Sequence, residues 1–147
     1  MDNTTIRCTS CGSLNRVPAD KAGMIGKCGS CGARLETPAG PAHVVVVGDS
    51  DFNNAVMSSS LPVIVEFWAP ACGHCIRMEP ILDALAGELT GRATVAKLDV
   101  SMNPRTAGFF EIRGTPSFVV IKEGREAARF IGAMQKEELA SKVRPYV

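Results

Sequence analysis

From residue 43 onward the chain alternates between two hydrophobic rhythms. The run "LPVIVEFW" (61–68) is continuous, β-branched and aromatic, which predicts a central strand buried on both faces. "ATVAKLDV" (93–100) predicts a second such strand, and "VVVV" (44–47) a short third. Between the first two, "CGHCIRMEPILDALAGEL" has apolar residues at 78, 81, 82, 85 and 89, a helical period. Pro80 lies inside it and is expected to kink the helix by removing a backbone donor. Asp49 or Ser50 is expected to cap a helix through "DFNNAVMSS". Asn103 and Pro104 read as cap and first position of another helix. "SFVVIKEGREAARFIG" (117–132) predicts two strands turning at Glu123-Gly124, and "QKEELASKVRPYV" an amphipathic closing helix. The order is strand–helix–strand–helix–strand–strand–helix. It predicts an α/β fold with a mixed sheet and helices on both faces.

Residues 1–35 lack this rhythm. They hold two similar pieces, "CTSCGSLNRVP" and "KCGSCGARLE". "ETPAGPA" (36–42), with two prolines and a glycine, reads as a linker. The expected organisation is a small segment 1–35, a linker 36–42 and a domain 43–147.

Composition narrows the class. The 147 residues are 46% apolar and 21% charged, as in a globular protein. The larger part is long enough to bury a core without a disulfide. A net charge of +1 gives no reason to expect nucleic acid or membrane as partner. No apolar run approaches the ~20 residues that span a bilayer, and "MDNTTIRCTSCGSLNR" has no apolar signal core. The expectation is a cytoplasmic, soluble monomer. In a reducing compartment paired cysteines read as metal ligands or redox catalysts.

All six cysteines fall in Cys-x-x-Cys pairs. Cys8, Cys11, Cys28 and Cys31 form two pairs separated by sixteen residues, a four-thiolate zinc pattern. Gly12, Gly29 and Gly32 are expected to relieve the tight backbone there. A segment with hardly any core needs such a staple. Four protein ligands leave no open position, so the expected ion is one structural Zn²⁺ per chain. The competing readings are iron, two disulfides or four idle thiols.

Cys72 and Cys75 have no second pair. Cys72 falls where the first central strand ends and a helix begins. Free N–H groups and the helix dipole there stabilise an anion, lowering a thiol's pKa. Cys75, one turn on, is within reach of a disulfide. The chemistry that follows is thiol–disulfide exchange: Cys72 attacks a substrate disulfide and Cys75 resolves the mixed disulfide.

"VIVEFWAPACGHC", "VAKLDV" and "IRGTPSFVVIKEG" resemble the thioredoxins in order and spacing. With the four-cysteine segment in front, the whole resembles the zinc-containing bacterial type, thioredoxin 2. The resemblance implies a thioredoxin fold with a small zinc ribbon. It implies disulfide-containing protein substrates and an NADPH- and flavin-dependent thioredoxin reductase as partner. It assigns Cys72 as nucleophile, Cys75 as resolving thiol and Pro116 as a cis-proline facing them. It places Trp68 beside the active-site loop, and Gly73, Thr115 and Gly132 along the substrate groove. Glu66 becomes the buried proton acceptor, where the family usually has aspartate, with Lys97 as neighbour. The plainer readings leave Glu66 facing solvent, Lys97 as a surface cation and Trp68 as core.

Two positions depart from the family. Ala71 stands where an aromatic usually flanks the nucleophile, which should open the groove. His74 makes the motif Cys-Gly-His-Cys, the pattern of protein disulfide isomerases, and its imidazole is expected to stabilise the Cys72 thiolate. Against a disulfide reductase stand two alternatives: an isomerase or oxidase tuned by His74, and a zinc-ribbon redox-sensing or chaperone-like binding module.

Overall fold

The computed structural model describes residues 4–18, 25–36 and 43–147. The chain divides into two compact units, Met1–Gly40 and Pro41–Val147. Of the expected linker, only Glu36 is described, as the last residue of a strand; 37–42 lie outside the described residues.

The first unit is two antiparallel hairpins, β1 (Thr4–Arg7) with β2 (Leu14–Val17) and β3 (Ile25–Lys27) with β4 (Arg34–Glu36). Among the described residues its buried apolar cluster is Cys8, Cys28 and Leu35, with Ala33 packed against it. The turns therefore do much of the organising. Gly12 and Gly32 adopt left-handed backbone, φ 76° and 75°, a region open to glycine at little cost. Gly29, expected to act with them, has ordinary backbone. It lies inside its cysteine pair, where its amide donates to Asn15 Oδ1 at 3.0 Å.

The second unit is a five-stranded sheet in the order β5-β7-β6-β8-β9. Its strands are β5 (Val45–Val46), β6 (Val63–Trp68), β7 (Thr94–Asp99), β8 (Ser117–Lys122) and β9 (Arg125–Ile131). β5 and β6 both run parallel to β7, and β8 and β9 add on antiparallel. Helices α1 (Gly73–Glu88), α2 (Pro104–Phe109) and α3 (Lys136–Val143) complete the unit. Side chains alternate across β6, as the pleat requires. Ile64 joins α1 and α3 residues in one core; Val63, Val65 and Phe67 join Phe52 and Phe110 in the other. Between β8 and β9, Glu123 and Gly124 take φ 54° and 74°, both positive as in a type I′ hairpin turn. α1 continues as helix past Pro80, which lies on its exposed face.

Two capping expectations change places. The segment after Asp49 forms only a π-helical turn, Asn53–Met57, that neither Asp49 nor Ser50 caps. Asp49 instead caps α2. Its Oδ1 accepts from the Thr106 amide (2.8 Å) and hydroxyl (2.7 Å), and Oδ2 from the Arg105 amide (3.2 Å). Asn103 occupies the cap position of α2 but turns its side chain away. Oδ1 accepts from the Asp49 amide at 2.8 Å and Nδ2 donates to the Asp99 carbonyl at 2.9 Å. Gly48 must be small here, because a Cβ would stand 2.6 Å from Asn103 Oδ1.

The Thr106 hydroxyl, followed by the α2 amides and the nearby Arg105 charge, holds the Asp49 carboxyl below its ordinary range. A depressed acid stabilises the fold above its unfolded pKa, about 3.9 for aspartate, and loses that contribution as pH falls through the folded value. Asp49→Asn should therefore lower the urea midpoint at pH 7 with little change in slope. The gap to the parent should close on acidification below about pH 4. A gap that persisted at pH 2 would show that charge is not what Asp49 contributes.

Candidate active site and metal centre

β6 ends at Trp68 and α1 begins at Gly73, with Cys72 as the cap residue between them. Its Sγ accepts from the Cys75 amide at 3.2 Å, the bond a serine or aspartate oxygen would make at a helix start. Cys72 is half-buried and Cys75 only 2% exposed. The two are joined as a disulfide, with Cα atoms 5.3 Å apart. Across from them the Thr115–Pro116 peptide is cis, and the Thr115 carbonyl oxygen lies 3.5 Å from Cys72 Sγ. Gly132 (φ 98°) donates its amide to the Pro116 carbonyl at 2.9 Å, bringing the end of β9 to the same edge. Ile131 beside it is 73% exposed. Gly73 has open space where a Cβ would project. Ala71 and His74 are exposed, and no hydrogen bond from the His74 ring is seen among the described residues.

Behind the disulfide is a small cavity of about 90 Å³, lined by Glu66, Trp68, Cys75, Glu79, Asp83 and Lys97 among others. Glu66 follows Ile64 by two residues on β6 and so faces the α1 side of the sheet. It is 2% exposed, and its Oε2 has no hydrogen-bond partner among the described residues. Burial pushes its carboxyl up to about 7, opposed by the Lys97 charge and reinforced by Glu79. Lys97 is the register partner of Glu66 on β7. Its ammonium lies 4.0 Å from Glu79 Oε1 and 5.3 Å from the Trp68 ring centroid. Trp68 is half-buried, and its Nε1 has no partner among the described residues. Glu79 and Asp83 were not among the sequence candidates. The available signal was spacing: they follow Cys75 by four and eight residues, one face of a helix.

In the first unit the sulfurs of Cys8, Cys11, Cys28 and Cys31 lie within 4.8 Å of one another. The Cys8–Cys31 and Cys11–Cys28 separations are both 3.7 Å. A tetrahedron with Zn–S bonds of about 2.3 Å has edges of about 3.8 Å, so the cluster fits zinc. Amides of Ser10 and Ser30 point at the Cys8 and Cys28 sulfurs, each at 3.4 Å. The Ser13 hydroxyl bridges Cys11 (3.0 Å) and Cys28 (3.1 Å), and Asn15 Nδ2 reaches Cys28 at 3.5 Å. Sequence reading passed over Ser13 and Asn15, which carry no motif. The Ser13 hydroxyl, then the Cys31 and Ser30 amides, hold Cys28 down to about 5. The Ala33 amide favours the Cys31 thiolate, but Cys11, burial, Cys8 and Cys28 push it up to about 12. Four sulfurs this close cannot all ionise without a cation among them.

Residues 43–145 match the family model described as Thioredoxin, and residues 7–33 the zinc-ribbon model described as Thioredoxin 2, N-terminal. A thioredoxin of Haemophilus influenzae is 35% identical over 106 residues, covering 72% of this chain and 99% of its own. Thioredoxin C-3 of Corynebacterium nephridii is 34% identical over 134 residues, 91% of this chain and 89% of its own. Thioredoxin 2 of Chlorobaculum tepidum is 36% identical over 99 residues, 67% of this chain and 91% of its own. The first of these models takes in the whole sheet together with the disulfide at the start of α1, and the chain accordingly belongs to the thioredoxin family of thiol–disulfide oxidoreductases.

Proposed function

We propose that the chain reduces protein disulfides, with Cys72 as nucleophile and Cys75 as resolving thiol. The observation that carries this is the Cys75 amide aimed at Cys72 Sγ on the first turn of α1. The same donor, with the helix dipole, stabilises a Cys72 thiolate in the reduced protein. That thiolate attacks one sulfur of a substrate disulfide and expels the other as thiolate. Cys75 then gives its proton to the Glu66 carboxylate, bonds to Cys72 Sγ and releases the second substrate thiolate. The cavity between Cys75 and Glu66 is roomy enough to admit water, which would let the proton pass between them.

Thr115, Pro116 and Gly132 form the rim on which the substrate backbone lies, with Ile131 and Gly73 leaving it open. The resulting disulfide is returned to the dithiol by an NADPH- and flavin-dependent thioredoxin reductase. The reading places the chain in a reducing, cytoplasmic compartment, where four uncrosslinked thiols persist. No helix among the described residues is long and apolar enough to cross a membrane. Cys8, Cys11, Cys28 and Cys31 would hold one zinc ion, which supplies the fold of the first unit with the core it lacks.

Insulin-disulfide reduction, driven by NADPH and a thioredoxin reductase, should require Cys72. Cys72→Ser should lower turnover by about 10³-fold or more. Partner capture undiminished in a Cys72→Ser, Cys75→Ser double mutant would favour a binding module instead. Metal analysis of chain purified without chelator should return close to one zinc per chain; under about half an equivalent counts against the four-thiolate site. The exposed His74 imidazole, on the helix turn between the two cysteines, is placed to favour the Cys72 thiolate. His74→Pro should make the couple more reducing by tens of millivolts, within the ~90 mV separating about −270 from about −180 mV. An unchanged or higher potential in glutathione titration refutes this tuning.

A further inference from the structure

Glu66 and Lys97 are register partners on adjacent parallel strands. A buried carboxylate beside an ammonium is expected to pair with it, since an unpaired charge is costly to bury. Here it does not. Among the described residues Glu66 Oε2 has no partner, while Lys97 Nζ lies 4.0 Å from Glu79 Oε1 and over the Trp68 ring. Glu79 stands one helical turn after Cys75, at the outer side of the same cavity, with 55% of its side chain exposed.

We propose that Glu79 is a positioning residue for Glu66: it draws the Lys97 ammonium to the cavity mouth and keeps it from pairing with the buried carboxylate. The inference rests on the reading of Glu66 as proton acceptor for Cys75. Its consequence is chemical. Paired directly with Lys97, Glu66 would stay ionised and be a weak base. With the ammonium held outward, burial keeps its carboxyl near 7, matched to taking a proton at neutral pH. The charged and titratable groups lining the cavity with Glu66 are Lys97 from β7 and Cys75, Glu79 and Asp83 from α1. β8 presents the apolar Phe118 as its register partner.

The test uses the full-length, zinc-loaded protein in its disulfide form, where neither Cys72 nor Cys75 titrates. The ¹³C carboxyl resonance of Glu66 is followed against pH. Glu79→Gln should lower its midpoint by about one unit, the effect of an opposite charge brought close. In a Lys97→Met background the same substitution should shift it by less than half as much, because no ammonium remains to move. A midpoint unchanged or raised by Glu79→Gln overturns the proposal. So does an equal shift in both backgrounds, which would mean Glu79 acts on Glu66 without Lys97.

A second measurement isolates the underlying reading. Reduced protein mixed with Ellman's reagent releases one thionitrobenzoate as Cys72 attacks and a second as Cys75 displaces it. Glu66→Gln should abolish the neutral-pH inflection of that second phase. An inflection that survives removes Glu66 as proton acceptor, and the inference with it, whatever the carboxyl resonance does.

Discussion

One hydrogen bond joins the fold to its chemistry: the Cys75 amide to Cys72 Sγ at the start of α1. A helix needs acceptors for its first amides, and an oxygen usually supplies one. Here a sulfur does. The interaction that begins the helix is thus also the one that would hold a thiolate. Its position is secured from both ends. β6 is flanked by β7 along its whole length and by β8 from Val63 to Phe67, and α1 is anchored by Met78, Leu82, Leu85 and Ala86 in the core beneath it. The sulfur therefore sits where two well-packed elements meet, while its neighbours Ala71, Gly73 and His74 stay exposed.

Placing Glu66 in the same strand works against stability. A carboxyl whose folded pKa is raised favours the fold while protonated. That contribution is fully present below its ordinary 4.5 and is lost as pH rises to about 7. Above neutrality the chain carries a buried charge that costs on the order of 3 kcal/mol relative to acid conditions. A site that stays unfavourable at working pH is expected where function needs it. The Lys97–Glu79 contact is consistent with this: the residue that could relieve the charge is turned elsewhere.

Much of this was legible in the sequence where physics is local. The β-branched runs at 63–68 and 94–99 became central strands because continuous apolar stretches have no other place in a sheet. Glu66 was placed by the family resemblance, and counting two residues from Ile64 fixes its face only once Ile64 is seen packed with α1. The four-cysteine spacing carried its own geometry. What escaped depends on partners far apart in the chain. Asp49 caps a helix more than fifty residues away while Asn103 bonds back to Asp49, and neither residue type announces which of two helix starts it will serve. Lys97 meets Glu79 only once α1 is laid on β7. The hairpins of the first unit escaped for a different reason, because with so few apolar residues their strands leave no hydrophobic pattern to read.

The three Cys-x-x-Cys pairs show how little the spacing itself decides. In the first unit each pair is followed by glycine, Gly12 or Gly32, and the left-handed turn there folds the chain back into a hairpin. Both sulfurs then face another pair at 3.7 Å, tempered by the Ser10 and Ser30 amides, the Ser13 hydroxyl and Asn15 Nδ2. In the second unit Ile76 follows Cys75, and the chain continues as helix. No turn returns it toward another pair. The two sulfurs meet each other, with the first at the positive end of a sixteen-residue helix. A left-handed glycine after the second cysteine thus suits a cation shared among four thiolates. A residue that propagates helix there leaves an electrophilic sulfur as the partner.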